Sequence, residues 1–150
     1  MPQARLGDAA WLKVLRRHDD TLRGLFERYR GEELTGTGDG FFVGFPTADC
    51  ALDCALDIQR TVEEVRVRVG VHLTEATRDR GGFSGRGVHE AARISALGAG
   101  GDIVVSSVTL ELATKPYRTR EVRTVGLKGL PGEIQVAFLE GEQMTTAAAQ

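Results

Sequence analysis

The segment ELTGTGDGFFVGF, residues 33 to 45, constrains this chain most, because turn chemistry, strand pattern and a carboxylate coincide there. Gly38, Asp39 and Gly40 accept the positive φ of a tight turn, and Phe41, Val43 and Phe45 alternate onto one face of the outgoing strand, so the segment reads as a β-hairpin. Asp39 sits at its tip. A carboxylate held there can coordinate a hard cation such as Mg²⁺, although an Asp-Gly pair in a turn more often serves the backbone alone.

The rest of the chain is long enough to surround such a hairpin with a core: 150 residues make one domain by length. With 19 Lys and Arg against 21 Asp and Glu, the net charge of −2 gives no general pull toward nucleic acid or an anionic membrane. The opening MPQARLGDAA has no apolar signal region and no stretch is long enough for a membrane span, so the expected compartment is the cytoplasm. Cys50 and Cys54, four apart in a helical pattern, read as packing residues, with no disulfide framework and no zinc site.

Residues 8 to 30 predict a helix capped by Asp8, with Trp11, Leu15, His18, Leu22, Leu25 and Tyr29 on one face. His18 in that stripe reads as a half-buried histidine bonded to a neighbour. After the hairpin, Pro46 and Thr47 open a helix to about Glu64, whose inner face is Ala51, Ala55, Ile58 and Val62 with Cys54 beside them, and whose outer face carries Asp53, Asp57, Arg60 and Glu63. Residues 65 to 73 alternate: Val65, Val67, Val69, Val71 and Leu73 face one way, and Arg66, Arg68, Gly70 and His72 the other. His72 could be a ligand, but a strand histidine at a sheet end is more often structural.

TRDRGGFSGRG, residues 77 to 87, reads as a glycine-rich loop feeding a helix from about Arg86 to Leu97, buried along Val88, Ala91, Ala92 and Ser95. Arg86, His89 and Arg93 fall on one stripe of that helix, and a glycine-rich entry leaves backbone N–H groups free to meet a phosphate. Two readings stay open: an anion-binding face, or solvated helix charges. Beyond it, Ile103 to Val105 is a short buried strand, Ser107 caps a short helix through Ala113, and residues 117 to 125 and 134 to 139 are strands joined by GLKGLPG, where Lys128 is the lone cation. Residues 1-140 then form the domain, and 141-150 a frayed tail.

In this order, ARLGDAAWLKVLRRHDDTL, TGDGFFVGFPTADCALDCALDIQ, VRVGVHLTEA, FSGRGVHEAARISALGAGGDIVVSS and VGLKGLPGEIQVAFL resemble the class III adenylate and guanylate cyclase homology domain over nearly the whole chain. The resemblance implies an α/β (α+β) domain with a ferredoxin-like βαββαβ core, working as a head-to-tail dimer. It further implies conversion of a nucleoside triphosphate to a 3′,5′-cyclic monophosphate and pyrophosphate, with two metal ions, Mg²⁺ or Mn²⁺, held by two aspartates of one protomer. By the same resemblance Asp39 matches the second metal aspartate, Arg93 the transition-state arginine and Lys128 a phosphate-contacting lysine, while Arg86 is a further cation for a triphosphate.

The departures from the family pattern point toward impaired catalysis. The strand that carries the first metal aspartate, in a D-I-x-G-F/S-T motif, is expected before Ala4. It is central in the family, between the hairpin and the strand of residues 65 to 73, so without it unpaired backbone and an open core are expected. His89 stands at the asparagine position, Thr35 at the purine-selecting lysine and Gly82 at the second purine contact. Each lost electrostatic group typically costs about 10²–10³ in rate. The expectation is a cyclase homology domain that acts by pairing with itself or a related cyclase domain and binds nucleoside triphosphate weakly; the alternative is an active, divergent adenylate or guanylate cyclase.

Overall fold

The structure, a computed structural model, describes residues 2–34, 40–62, 66–73, 77–79, 82–84, 86–127, 129 and 131–142. Helix α1 spans Pro2–Arg28 and leads into strand β1, Glu32–Leu34, paired antiparallel with β2, Phe42–Gly44. Helix α2, Ala48–Thr61, is followed by β3, Val69–Val71, then by a second hairpin of β4, Thr77–Asp79, and β5, Gly82–Ser84. Helix α3, Arg86–Ser95, precedes β6, Ile103–Ser106, and the short α4, Ser107–Leu112; the long strands β7, Tyr117–Gly126, and β8, Glu133–Glu142, complete the described chain.

The main sheet has four strands in the order β3-β6-β8-β7, with β3 and β6 parallel and the other pairs antiparallel. Alternation along its buried strands feeds two faces. Ile103 and Val105 of β6 join Leu139 of β8 and Val71 of β3 against Leu52 and Ala55 of α2. Val104, Val136 and Phe138 point the other way, against Ile94 of α3 and Leu127. A third cluster ties α1, through Leu22, Leu25 and Phe26, to Cys54, Ile58 and Val62 of α2.

Phe41, Val43 and Phe45 from the β2 side and Val67 and Val69 from the β3 side pack on that third cluster together, yet β2 and β3 belong to separate sheets. Each has one strand neighbour among the described residues. Among the described residues one helical layer thus covers two sheet fragments that do not pair with each other. The strand expected over residues 65 to 73 spans three residues, Val69–Val71, the length of the ladder it forms with β6. Val65 lies outside the described residues and Leu73 is exposed.

Several boundaries differ from the pattern reading. Helix α1 starts at Pro2, so Asp8 lies within it and caps nothing. Thr47 does cap α2, accepting from the Cys50 N–H at 3.1 Å, but the helix stops at Thr61 and its most buried residue is Leu52, outside the expected inner face. The helix after β6 begins at Ser107, with Ser106 at the cap position. Strand β8 runs to Glu142, pairing Gly141 with Arg118, past the expected strand end at residue 139 and into the expected tail. Residues 143–150 lie outside the described part.

The acidic residues of α2 are not merely solvated. Asp57 accepts from the Tyr29 hydroxyl at 2.7 Å, and Asp53 from the Tyr117 hydroxyl at 2.7 Å and the Lys115 ammonium at 2.8 Å. Asp49 takes the Thr114 amide and hydroxyl and the Lys115 amide. Three carboxylates one turn apart thus tie α2 to α1 and to the turn before β7. Cys54 behaves as expected of a packing residue: desolvation pushes its thiol up to about 12, so it stays a protonated apolar filler.

Two outcomes follow. Leu52→Ala removes a side chain with no exposed surface and should cost about 2–5 kcal/mol, read as a lower urea midpoint at unchanged slope. Desolvation pushes the Asp49 carboxyl up, but the hydrogen bonds from Thr114 and Lys115 outweigh it and hold the group below its ordinary 3.8. A depressed carboxyl contributes stability that is present above its unfolded value and is lost as pH falls through the folded value. Asp49→Asn should therefore lower stability at neutral pH and flatten its decline below about pH 4, measured by urea titrations across that range.

Candidate functional site

Helix α3 carries the sequence-predicted cations, and its seat is set by one glycine. A Cβ on Gly70 of β3 would lie 2.6 Å from the Ser95 amide nitrogen and 2.8 Å from the Ala91 carbonyl oxygen, so the helix backbone rests directly on the strand. Ile94, fully buried among Val104, Leu127, Val136 and Phe138, pins the same helix to the sheet. Ile94 is the centre of the buried face, which the pattern reading draws through Val88, Ala91, Ala92 and Ser95 without it; the last three are half-buried, and the Val88 side chain lies outside the described part.

His89 and Arg93, four apart, both project from the exposed side of α3. Among the described residues neither has a side-chain hydrogen bond or ion pair. Arg86 is the first residue of α3, with its side chain outside the described part. The segment expected as a glycine-rich loop is instead the β4–β5 hairpin, in which Gly82 pairs with Asp79 and Thr77 with Ser84. Residues 77–79 and 82–84 therefore lie in a strand ladder and not in an open loop.

Asp39 and Thr35 lie outside the described residues, as does Lys128. The strands that flank Asp39 are formed as expected: Leu34 pairs with Phe42 and Glu32 with Gly44, so the chain turns back between them. Among the described residues no three His, Cys, Asp or Glu side chains converge in a way that could hold a metal ion. No described helix is long and apolar enough to cross a membrane.

Two features were not legible in the sequence as part of a site. One is a buried polar chain in which His72 Nδ1 meets Ser106 Oγ at 2.8 Å, Ser106 Oγ meets Thr109 Oγ1 at 2.7 Å, and His72 Nε2 meets Glu90 Oε1 of α3 at 3.3 Å. His72 is thus structural, as the commoner role of a strand histidine suggests. The other is a cavity of about 360 Å³ lined in part by Tyr29, Asp53, Gln59, Arg60, Lys115 and Glu140, none of them a sequence-predicted site residue. His18 is half-buried as expected, but its Nδ1 has no hydrogen-bond partner among the described residues.

Known structures share this overall fold. The catalytic core of a rhodopsin-guanylyl cyclase with converted specificity, in complex with ATPαS, superposes with a TM-score of 0.80 at 20% identity, covering 94% of this chain and 88% of that one. The fold is that of the class III nucleotide cyclase domain. An adenylate/guanylate cyclase/hydrolase from Silicibacter pomeroyi matches this cyclase-fold domain at 25% identity and a TM-score of 0.70, covering 90% and 88% of the two chains. The adenylyl cyclase CyaB from P. aeruginosa matches it at 17% identity and a TM-score of 0.76, covering 92% and 86%.

In sequence, the cyclase-fold domain is 37% identical over 78 residues to an uncharacterized protein of Mycobacterium tuberculosis, Rv0891c, a match covering 51% of this chain and 27% of that protein. The same figures hold for an uncharacterized protein of Mycobacterium bovis. The match spans only about a quarter of those relatives, and no protein-family model matches. The seat of α3 can be tested directly. Gly70→Ala forces the helix off β3 and should destabilise the domain by about 1–3 kcal/mol in urea unfolding, whereas a near-neutral result would refute the close approach.

Proposed function

We propose that this chain is a cytoplasmic nucleotide cyclase homology domain, impaired on its own, that supplies Arg93 and His89 to a composite site completed by a second cyclase domain. The observation that carries this reading is the α3 face: the helix is fixed to the sheet by Gly70 and Ile94, while His89 and Arg93 stand exposed and without a partner among the described residues. A rigid helix that presents a guanidinium outward is suited to stabilise charge that develops on phosphate oxygens of a substrate bound mainly by another chain. His89 can donate a hydrogen bond in either protonation state, so it serves as a weaker substitute for an amide donor.

In this reading a homodimer holds two weakened sites, because each would have His89 at the asparagine position and Thr35 and Gly82 at the purine positions. A heterodimer with an intact cyclase keeps one working site, in which the partner's aspartates hold Mg²⁺ or Mn²⁺. Metal there would neutralise the triphosphate and activate the ribose hydroxyl, while this chain contributes Arg93, His89, Lys128 and Arg86 around the phosphates. With Thr35 and Gly82 at the purine positions, binding of ATP or GTP by the chain alone is weak and poorly selective. The alternative, an active divergent cyclase, draws on the intact pairing of β1 and β2 around Asp39.

The deciding experiment mixes the chain with a homologous cyclase whose own transition-state arginine is disabled, and assays cyclic nucleotide from ATP or GTP with Mg²⁺ or Mn²⁺. Rescue is expected, falling about 10²–10³-fold with Arg93→Ala. No rescue from a chain that stays monomeric at micromolar concentration would overturn the proposal. Turnover by the chain alone that is abolished by Asp39→Ala would establish the alternative.

A further inference from the structure

The buried chain of polar atoms beneath α3 has only one consistent pattern of donors when its imidazole is neutral and its carboxylate ionised. Glu90 can then only accept, so His72 must carry its proton on Nε2, 3.3 Å from Glu90 Oε1. Nδ1 is then bare and must accept from the Ser106 hydroxyl at 2.8 Å. With its proton committed to Nδ1, Ser106 Oγ must accept from Thr109 at 2.7 Å, and Thr109 Oγ1 in turn accepts the Leu73 N–H at 2.7 Å. The run starts at a backbone amide of the β3 segment, passes through α4 and β6, and ends on α3.

Burial makes these choices binding. Ser106 is fully buried, Thr109 is 2% exposed, and the His72 side chain is 7% exposed, so a misdirected proton would leave a polar atom unsatisfied away from water. Such a run holds more than its own atoms. Gly70 and Ile94 set how close α3 lies to the sheet, but apolar contact and close approach constrain rotation about the helix axis weakly. Glu90 supplies the missing constraint: it is adjacent to His89 and three residues before Arg93, so fixing its carboxylate fixes the direction in which both exposed side chains leave the helix.

We propose that His72 is a positioning residue, which through Glu90 sets the rotation of α3 and hence the aim of His89 and Arg93. The structural part stands on the contacts above; its bearing on turnover rests on the composite-site reading. The experiment has two arms, the first independent of any activity. In the chain labelled with ¹⁵N, neutral His72 should show the Nε2–H tautomer. Glu90→Ala should mix the two tautomers and move the side-chain signals of His89 and Arg93 while the fold persists.

Glu90→Gln, whose amide oxygen still accepts from Nε2–H, should restore both the tautomer and the His89 and Arg93 signals. An Nδ1–H tautomer in the unmodified chain, or unmoved His89 and Arg93 signals in Glu90→Ala, would overturn the proposal. In the second arm, complementation of the arginine-disabled cyclase should fall about tenfold to a hundredfold with Glu90→Ala and recover with Glu90→Gln. Spectra that behave as stated with no complementation even by the unmodified chain would uphold the positioning role and refute the composite site. Full complementation by Glu90→Ala would refute the role of His72 in aiming Arg93.

Discussion

The rest of the molecule depends on the contact between α3 and β3 at Gly70. Because nothing larger than hydrogen fits between that Cα and the backbone of Ala91 and Ser95, the helix lies against the strand at the closest distance two backbones allow. That closeness lets Ile94 reach the centre of the sheet and brings Glu90 within reach of His72. A helix standing off by one methyl group would lose both. The exposed side of α3 is therefore carried on a support that is rigid by sterics, by apolar packing and by directed hydrogen bonds together.

The opposite face of the sheet is held differently. Helices α1 and α2 bury Leu22, Leu25, Phe26, Leu52, Cys54 and Ile58, and the carboxylates of Asp49, Asp53 and Asp57 fasten the edge of that layer to Tyr29, Thr114, Lys115 and Tyr117. The Tyr117 hydroxyl is pushed well above its ordinary range by desolvation and by its bond to Asp53, so it is a protonated donor at neutral pH. These bonds help the helical layer to span two sheet fragments. Edge strand β7 carries Arg118, Arg120 and Arg123 with a bulge near Glu121, whose φ is 50°; charge and irregularity of this kind discourage pairing with another edge.

The two sides of the sheet thus divide stability from presentation. The α1 and α2 side contains the two clusters packed on α2, and its Asp49, Asp53 and Asp57 carboxylates are paired. On the α3 side Arg120 pairs with Asp102, and Arg120 and Arg123 lie over the Phe138 ring, whereas the His89 and Arg93 side chains have no hydrogen-bond or ion-pair partner among the described residues.

By itself the sequence determined the elements whose signal is local. The helix at Thr47, the strand at Ile103, the paired strands after Tyr117 and the hairpin around Gly38 to Gly40 all follow from caps, alternation and turn residues that act within a few positions. So does the placement of His89 and Arg93 on one helix stripe, which needs only the 3.6-residue period. Tertiary structure alone decided the rest. The hairpin of Thr77 to Ser84 was hidden because its glycines resemble those of a loop, and only strand pairing distinguishes the two. The burial of Leu52 and Ile94 depends on which helix face meets the sheet, and periodicity fixes that only to within a residue. The links from His72 to Ser106, 34 residues on, and to Glu90, 18 residues on, have no local signature, because a hydrogen bond between distant residues is specified by the packing that brings them together and not by the pattern around either one.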